Sequence, residues 1–188
     1  MNQFEDQTFS KKEYSRVSFS GKTFSECIFE ECQFLDSTFA NAHFSSCTFK
    51  NCHFKLVNFG KSRLHEVCFE ECKVAGGNFY LCEKKLFSLR FKSCKLLNCN
   101  FSGLAMKKTS FGESHLIDCD FKETLLEKSD FRRCDLKGTL FHQCSLKEAD
   151  FRCASHYDID PLSNDIQKGK FSTLDALSLL KGFQITLE

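Results

Sequence analysis

This chain has no long hydrophobic run, no excess of charge of one sign, and almost no proline. No stretch approaches the roughly eighteen consecutive apolar residues of a membrane-spanning helix, so no membrane association is expected. The 26 basic and 25 acidic side chains leave a formal net charge of +1, which argues against direct nucleic-acid binding. The single proline, Pro161, lies near the carboxyl end and predicts a turn there.

Motifs that carry catalysis or bind metals are also absent. The sequence has no HExxH, no nucleophile elbow and no glycine-rich phosphate loop. A surface position is the simplest interpretation of every histidine, and the sequence gives no catalytic residue, metal ligand or cofactor site. A non-enzymatic protein is therefore predicted. The six histidines are His43, His53, His65, His115, His142 and His156.

What the sequence does have is a large apolar residue at every fifth position. Twenty of the thirty such positions are phenylalanine, out of 23 in the whole chain. A short fixed period of this kind is typical of a solenoid, in which each unit buries its face by stacking on its neighbours. The series runs Phe4, Phe9, Tyr14, Phe19, Phe24, Phe29, Phe34, Phe39, Phe44, Phe49, Phe54, Phe59, Leu64, Phe69, Val74 and Phe79, then slips by two residues and continues as Leu86, Phe91, Leu96, Phe101, Met106, Phe111, Leu116, Phe121, Leu126, Phe131, Leu136, Phe141, Leu146 and Phe151.

Each pentapeptide predicts one very short strand followed by a corner. If the large residue is position i, then i−2 is almost always small, and both face inward because residues two apart in a strand share a side. In the second half, large positions alternate Phe and Leu, which favours an even number of sides per coil; four sides need twenty residues. Stepping by twenty also alternates charges in register at Glu30, Lys50 and Glu70, and at Lys107, Glu127 and Lys147.

Most of the cysteines follow the same rule, since ten of the thirteen occupy position i−2. Their odd number and the start MNQFEDQTF, which has no apolar signal segment, argue against a secreted disulfide scaffold. Cysteines aligned along a rod do not converge on a metal. They are predicted to be small buried apolar fillers in a cytoplasmic protein.

These features resemble the pentapeptide-repeat family, whose usual unit is A(D/N)Lxx or A(D/N)Fxx. Matching units are Ser129-Asp130-Phe131 and Ala149-Asp150-Phe151. The resemblance implies an all-β solenoid, a right-handed quadrilateral β-helix, over residues 1–154, with the two-residue slip at 80–85.

Residues 155–171 are predicted to form an exit segment, and 172–188 a cap made of a short α-helix and a strand. Ser172 is a plausible N-cap, and Gln184 to Leu187 continue a strand-like alternation that starts at Phe183. The tail resembles the cap of the Qnr-type quinolone-resistance proteins and the microcin B17 immunity protein, which implies a homodimer. The residues expected in its interface are Leu174, Leu177, Leu180, Phe183 and Ile185.

The resemblance further implies a rod that protects DNA gyrase or topoisomerase IV from poisons by mimicking or displacing DNA. An acidic surface on the amino-terminal half is the candidate partner contact. Two other functions stay open, a rigid scaffold for an unrelated protein and an immunity factor against a toxin. The acidic residues are Glu5, Asp6, Glu26, Glu30, Glu31, Glu66, Glu70 and Glu71.

Overall fold

Short strands follow from the pentapeptide period, because the remaining residues of each unit form the corner. In the computed structural model, which describes residues 2–183, these strands wind into a parallel β-solenoid of about eight turns with roughly 20 residues per turn. The predicted all-β solenoid is confirmed. The strands are β1 (Gln3–Glu5), β2 (Thr8–Ser10), β3 (Glu13–Ser15), β4 (Thr23–Ser25), β5 (Ile28–Glu30), β6 (Gln33–Leu35), β7 (His43–Ser45), β8 (Thr48–Lys50), β9 (His53–Lys55), β10 (Arg63–His65), β11 (Val67–Glu70), β12 (Lys73–Ala75), β13 (Leu89–Lys92), β14 (Lys95–Leu97), β15 (His115–Ile117), β16 (Asp120–Lys122), β17 (Leu140–His142), β18 (Asp150–Phe151), β19 (Asp158–Ile159) and β20 (Lys170–Phe171).

Strand pairing is parallel throughout the described sheets, and each strand pairs with the strand one turn away. Three sheets run through the amino-terminal half, in the orders β1-β4-β7-β10, β2-β5-β8-β11-β13 and β3-β6-β9-β12-β14-β15. Towards the carboxyl end, the order β16-β17-β19 forms a fourth sheet and β18-β20 a fifth. Phe29 pairs with Phe49, so the register advances by one turn of twenty residues.

The core is a set of columns, each built from the large residue of successive turns. One column is phenylalanine from end to end, with neighbouring ring centroids 4.8 to 5.4 Å apart in stacked pairs. Rings from adjacent sides meet edge to face, as do those of Phe101 and Phe111 at 6.0 Å. The alternation of Phe and Leu in the sequence therefore places phenylalanine over phenylalanine in successive turns. The column comprises Phe9, Phe29, Phe49, Phe69, Phe91, Phe111, Phe131, Phe151 and Phe171.

The two extra residues after Phe79 are accommodated on one side of a single turn. A 3₁₀ turn covers Phe79–Leu81, and the register then advances by 22 residues, so that Phe69 pairs with Phe91. The prediction that Leu86 points inward is wrong. Leu86 has φ +59° and is 69% exposed, whereas Phe87 is buried. The corner needs a residue in the left-handed region, and Leu86 takes that place.

Stacking continues beyond residue 154, where the sequence placed the end of the coils. Ile159 of β19 pairs with Phe141, and Phe171 of β20 pairs with Phe151. The first pairing advances by only 18 residues, which explains why a strict five-residue period misses this turn. A short helix is present as expected, but it is a 3₁₀ helix over Asp175–Phe183 rather than an α-helix. Gln184 to Glu188, with the predicted strand and Ile185, lie outside the described residues.

Candidate functional site

The side chain at position i−2 fills space in the core and also donates a hydrogen bond to a buried backbone carbonyl. The thiol of Cys32 donates to the carbonyl of Phe9 at 3.2 Å, and Cys52 donates to Phe29 at the same distance. Hydroxyls do the same elsewhere, as where Ser129 donates to Met106 at 2.9 Å. The position therefore favours small residues with one donor, namely Cys, Ser and Thr. The recurrence of these three types at i−2 was the sequence signal for this role.

Burial keeps three of the inward thiols protonated at neutral pH. It raises the pKa of Cys47 to about 11 and those of Cys82 and Cys134 to about 12. A thiolate is the reactive form of cysteine, so these groups are unsuited to nucleophilic or redox chemistry at neutral pH. All thirteen cysteines are free.

Each corner requires one residue in a backbone conformation that residues with a side chain generally avoid. At almost every turn, the residue two after the large residue has φ between 48° and 61°, the left-handed region. Glycine supplies it, with φ between 66° and 73°, at Gly21, Gly76, Gly103 and Gly138, but most corners use charged residues. The corners and the outward strand residues are the surfaces on which a partner can bind.

The predicted acidic residues fall on two corner columns of the amino-terminal half, and basic residues interrupt one of them. Glu30 lies 3.6 Å from Lys50, and Glu31 lies 3.9 Å from Lys11, measured between charged atoms. On the other column, Ser46 donates to Glu66 at 3.0 Å. The structure thus brings the acidic side chains to adjoining corners without forming one continuous acidic track.

The carboxyl-terminal helix presents an apolar ridge. A 3₁₀ helix has about three residues per turn, so apolar residues spaced by three align on one side. Leu174 is 82% exposed, Leu177 51% and Phe183 50%, while Leu180 is half-buried. Ser172 does not cap this helix; its hydroxyl accepts a hydrogen bond from the backbone N–H of Cys153 at 2.8 Å. Of the five predicted interface residues, Leu177, Leu180 and Phe183 are therefore spaced to share one side of the helix, and Leu174 directly precedes its first residue, Asp175.

One cluster combines histidine and carboxylate. Asp135 lies between His156, at 2.8 Å from Nδ1, and His115, at 3.7 Å from Nδ1. Burial is the largest single influence on the pKa of Asp135 and raises it, but the hydrogen bonds from His156 and the backbone N–H of Lys137, together with the nearby charges of His156 and His115, leave this pKa below its usual value. No hydroxyl or thiol of the described residues hydrogen-bonds to either imidazole, so the cluster lacks the arrangement of a nucleophile and base.

Among residues 2–183, no group of three or more His, Cys, Asp or Glu side chains is placed to hold a metal ion. No helix in the same range has the length and hydropathy required to cross a bilayer. A surface groove of about 490 Å³ lies over the carboxyl-terminal half. Its arginines are already engaged, since Arg132 binds Asp130 at 2.7 Å and Arg133 binds Glu113 at 2.9 Å. The groove is therefore a weak candidate for an anion site.

The repeated pentapeptide strands, the stacked columns and the left-handed corners define a class of parallel β-solenoid with four sides per turn. The sequence matches the family described as pentapeptide repeat region over residues 22–85 and 82–151, and the chain belongs to this family.

Solved structures with this fold include a fluoroquinolone-resistance protein and a cyanobacterial regulator. A trypsin-treated form of QnrB1, a plasmid-mediated fluoroquinolone resistance protein, aligns over 99% of this chain and 100% of its own, with a TM-score of 0.66 and 16% identity. HetL, a pentapeptide repeat protein involved in heterocyst differentiation regulation from the cyanobacterium Nostoc, aligns over 90% of this chain and 86% of its own, with a TM-score of 0.61 and 12% identity. No curated protein matches the sequence.

Proposed function

We propose that this chain is a non-enzymatic rod that binds a type II topoisomerase, DNA gyrase or topoisomerase IV, and protects it from poisons. The observation that carries the proposal is the alignment with QnrB1 over nearly the whole of both chains. The likeness of the tail to the Qnr-type and microcin-immunity caps, seen in the sequence, supports the same function. The rod occupies or remodels the DNA-binding surface of the enzyme, and it makes or breaks no covalent bond.

Shape contributes more than charge to this mechanism. Eight turns at about 4.8 Å give a rod roughly 38 Å long. Lys50 and Lys11 break up the acidic corners, so mimicry of a continuous phosphate track has little electrostatic support. Salt should therefore weaken the complex only moderately, because exposed charges contribute little each and are screened.

The apolar ridge of the carboxyl-terminal helix is the proposed homodimer contact. Leu177→Glu places a charge in its middle and should shift the protein from dimer to monomer in sedimentation velocity, while the circular dichroism of the coil stays the same. Leu162→Glu is the matched control, because Leu162 is 68% exposed but lies outside the helix. A dimer that survives Leu177→Glu, or that dissociates equally with Leu162→Glu, would exclude this interface.

The functional test is a supercoiling assay in which the purified protein is titrated into gyrase or topoisomerase IV poisoned by a quinolone or a peptide. We expect supercoiling or relaxation activity to recover, and we expect the monomeric Leu177→Glu variant to protect less well. Failure to protect either enzyme from either kind of poison across the titration would reject the proposal.

A scaffold for another protein is the second candidate, because the interrupted acidic surface and the net charge of +1 set it apart from a DNA mimic. An immunity role against a toxin is a version of the same idea. Affinity capture from a lysate followed by identification of the bound protein separates them. The thirteen free cysteines suit a reducing compartment, and we place the protein in the cytoplasm.

A further inference from the structure

The first coil, residues 2–22, differs from the later coils at position i−2. In the next coil this inward position holds small residues that are at most 1% exposed, namely Cys27, Cys32, Ser37 and Ala42. The equivalent residues of the first coil are Gln7, Lys12, Val17 and Lys22. The backbone shows the equivalence, because the carbonyls of Lys12 and Cys32 each accept a hydrogen bond from the coil that follows. Three long polar side chains therefore stand where the interior of the rod has small ones.

Hydrogen bonding at position i−2 explains why the first coil can differ. In the later coils, a thiol or hydroxyl at this position donates to a carbonyl of the turn before. Cys27 is the first inward residue with such an acceptor, the carbonyl of Phe4 at 3.5 Å. No turn of the described chain lies beyond the first coil, so a small donor at position 12 or 22 would have no carbonyl to bind. The requirement for a small donor is therefore lifted at these positions.

The outer end of the first coil is a surface on which another coil can stack. Strands β1, β2 and β3 each lie at the end of a sheet and pair with one strand only. The rings of Phe4, Phe9 and Tyr14 are partly buried, whereas the corresponding rings of the next coil are fully buried. Unpaired strand edges beside apolar side chains are a template for strand addition. A second copy of this chain carries the same surface and can meet it end to end.

Lys22 covers part of this end. Its Nζ lies 5.3 Å from the ring centroid of Phe19 and 5.8 Å from that of Phe4. Phe19 is 5% exposed, which makes it the buried ring of the first coil. A lysine lays its aliphatic stem on apolar surface and keeps its ammonium group in water, and the ring face attracts the cation.

The charges of Lys12 and Lys22 are not neutralised within the described residues. No carboxylate of residues 2–183 lies within ion-pair distance of either ammonium group. The acidic residues of the first coil, Glu5, Asp6 and Glu13, occupy outward strand and corner positions and so lie around the rim. The two lysines occupy inward positions, at the end of the core.

We propose that the first coil caps itself, and that Lys12 and Lys22 prevent a second copy of the chain from stacking on the amino-terminal end. Their stems cover apolar surface, and end-to-end contact would take the ammonium groups of both copies out of water. Removing an unpaired charge from water is costly, so the contact does not form. The opposite end carries the apolar ridge instead. Because the two ends differ in this way, association through the ridge closes at a dimer and does not continue into a filament.

This cap acts independently of topoisomerase binding and of the proposed homodimer. The test therefore uses the full-length Leu177→Glu protein as its background, which removes the proposed carboxyl-terminal contact. Lys12→Ser with Lys22→Ala gives the first coil the residue types of Ser37 and Ala42 one turn later. The control is Lys55→Ser with Lys84→Ala, the same change of charge at two exposed lysines on the sides of the rod. Lys12→Arg with Lys22→Arg keeps both the stem and the charge.

Sedimentation velocity over a range of concentrations measures self-association, and small-angle X-ray scattering measures the maximum dimension of the particle. We expect Lys12→Ser with Lys22→Ala to self-associate at least about tenfold more tightly than its background. The product should be about twice as long as the unassociated rod, because the copies join end to end. The control pair and the arginine pair should match the background.

Circular dichroism first confirms that each variant keeps the coil. Lys22→Ala alone replaces the pair if the pair does not fold, and the same direction of change is expected. An uncapped variant that associates no more than its background at millimolar protein would overturn the proposal. So would equal association of the control pair, association of the arginine pair, or a dimer no longer than a single rod.

Discussion

Replacing Phe111 by alanine tests whether the stacked column stabilises the rod. Phe111 is fully buried, with its ring 5.4 Å from Phe91 below and 4.8 Å from Phe131 above. Phe101 and Phe121 meet it edge to face at 6.0 and 5.7 Å. Truncating a buried phenylalanine costs about 3–5 kcal/mol through lost burial and the cavity left behind. We expect the upper part of this range, because Phe91 and Phe131 are each held in place by a further stacked ring of the same column, Phe69 and Phe151, and cannot move into the cavity.

The matched control is Phe9→Ala, the first position of the same column. Phe9 is only partly buried and stacks on one ring, that of Phe29 at 4.8 Å. Its truncation should cost about half as much, because less area is lost from burial. Urea unfolding followed by circular dichroism measures both free energies. If Phe111→Ala lies within about 1 kcal/mol of wild type, or equals Phe9→Ala, the columns do not carry the stability assigned to them.

Three smaller perturbations address the corner, the surface and the inner donors. Leu56 is exposed with φ +54°, so Leu56→Asn should raise the unfolding free energy by up to about 1 kcal/mol, and a lower melting temperature would contradict this. Hydrogen bonds from the arginines two residues along the chain lower the pKa of Asp130 and Asp150, so their stabilisation is full above the unfolded pKa, near 4, and is lost as the pH falls through the folded value. Asp130→Asn with Asp150→Asn should lower the melting temperature at neutral pH, and the loss should shrink as the pH falls below about 4; a loss that does not change with pH would refute the linkage. Cys52→Ala removes the donor to Phe29 and should cost about 1–3 kcal/mol, whereas Cys52→Ser should cost clearly less, as thermal melts of the two can show.

The periodicity of the sequence was sufficient to predict the coil and its inward residues. Twenty phenylalanines at one spacing leave one arrangement that buries them all, and the alternation of Phe and Leu selects an even number of sides. The prediction failed where the spacing changes. Leu86 and Phe87 are both apolar, and only the requirement for a left-handed corner residue decides which of them faces inward.

Surface features were harder to predict, because they depend on register between turns. Lys73 and Lys95 become neighbours only after the extra residues near Phe79 shift the register from 20 to 22. Pairing residues 22 apart across the two-residue insertion, instead of 20 apart, would have predicted this contact from the sequence. The type of helix at the carboxyl end was similarly open, although the spacing of Leu174, Leu177 and Leu180 by three residues matches a 3₁₀ helix better than an α-helix.

The interior of this solenoid repeats so regularly that it carries little information about function. Successive turns bury the same kinds of side chains, and wherever position i−2 is Cys, Ser or Thr its side chain can donate to a carbonyl of the turn before it. Outward positions do not affect this pattern, so they can vary without loss of the fold. Specific binding must therefore arise where the surface departs from the average, as it does at the exposed apolar side chains around Leu177.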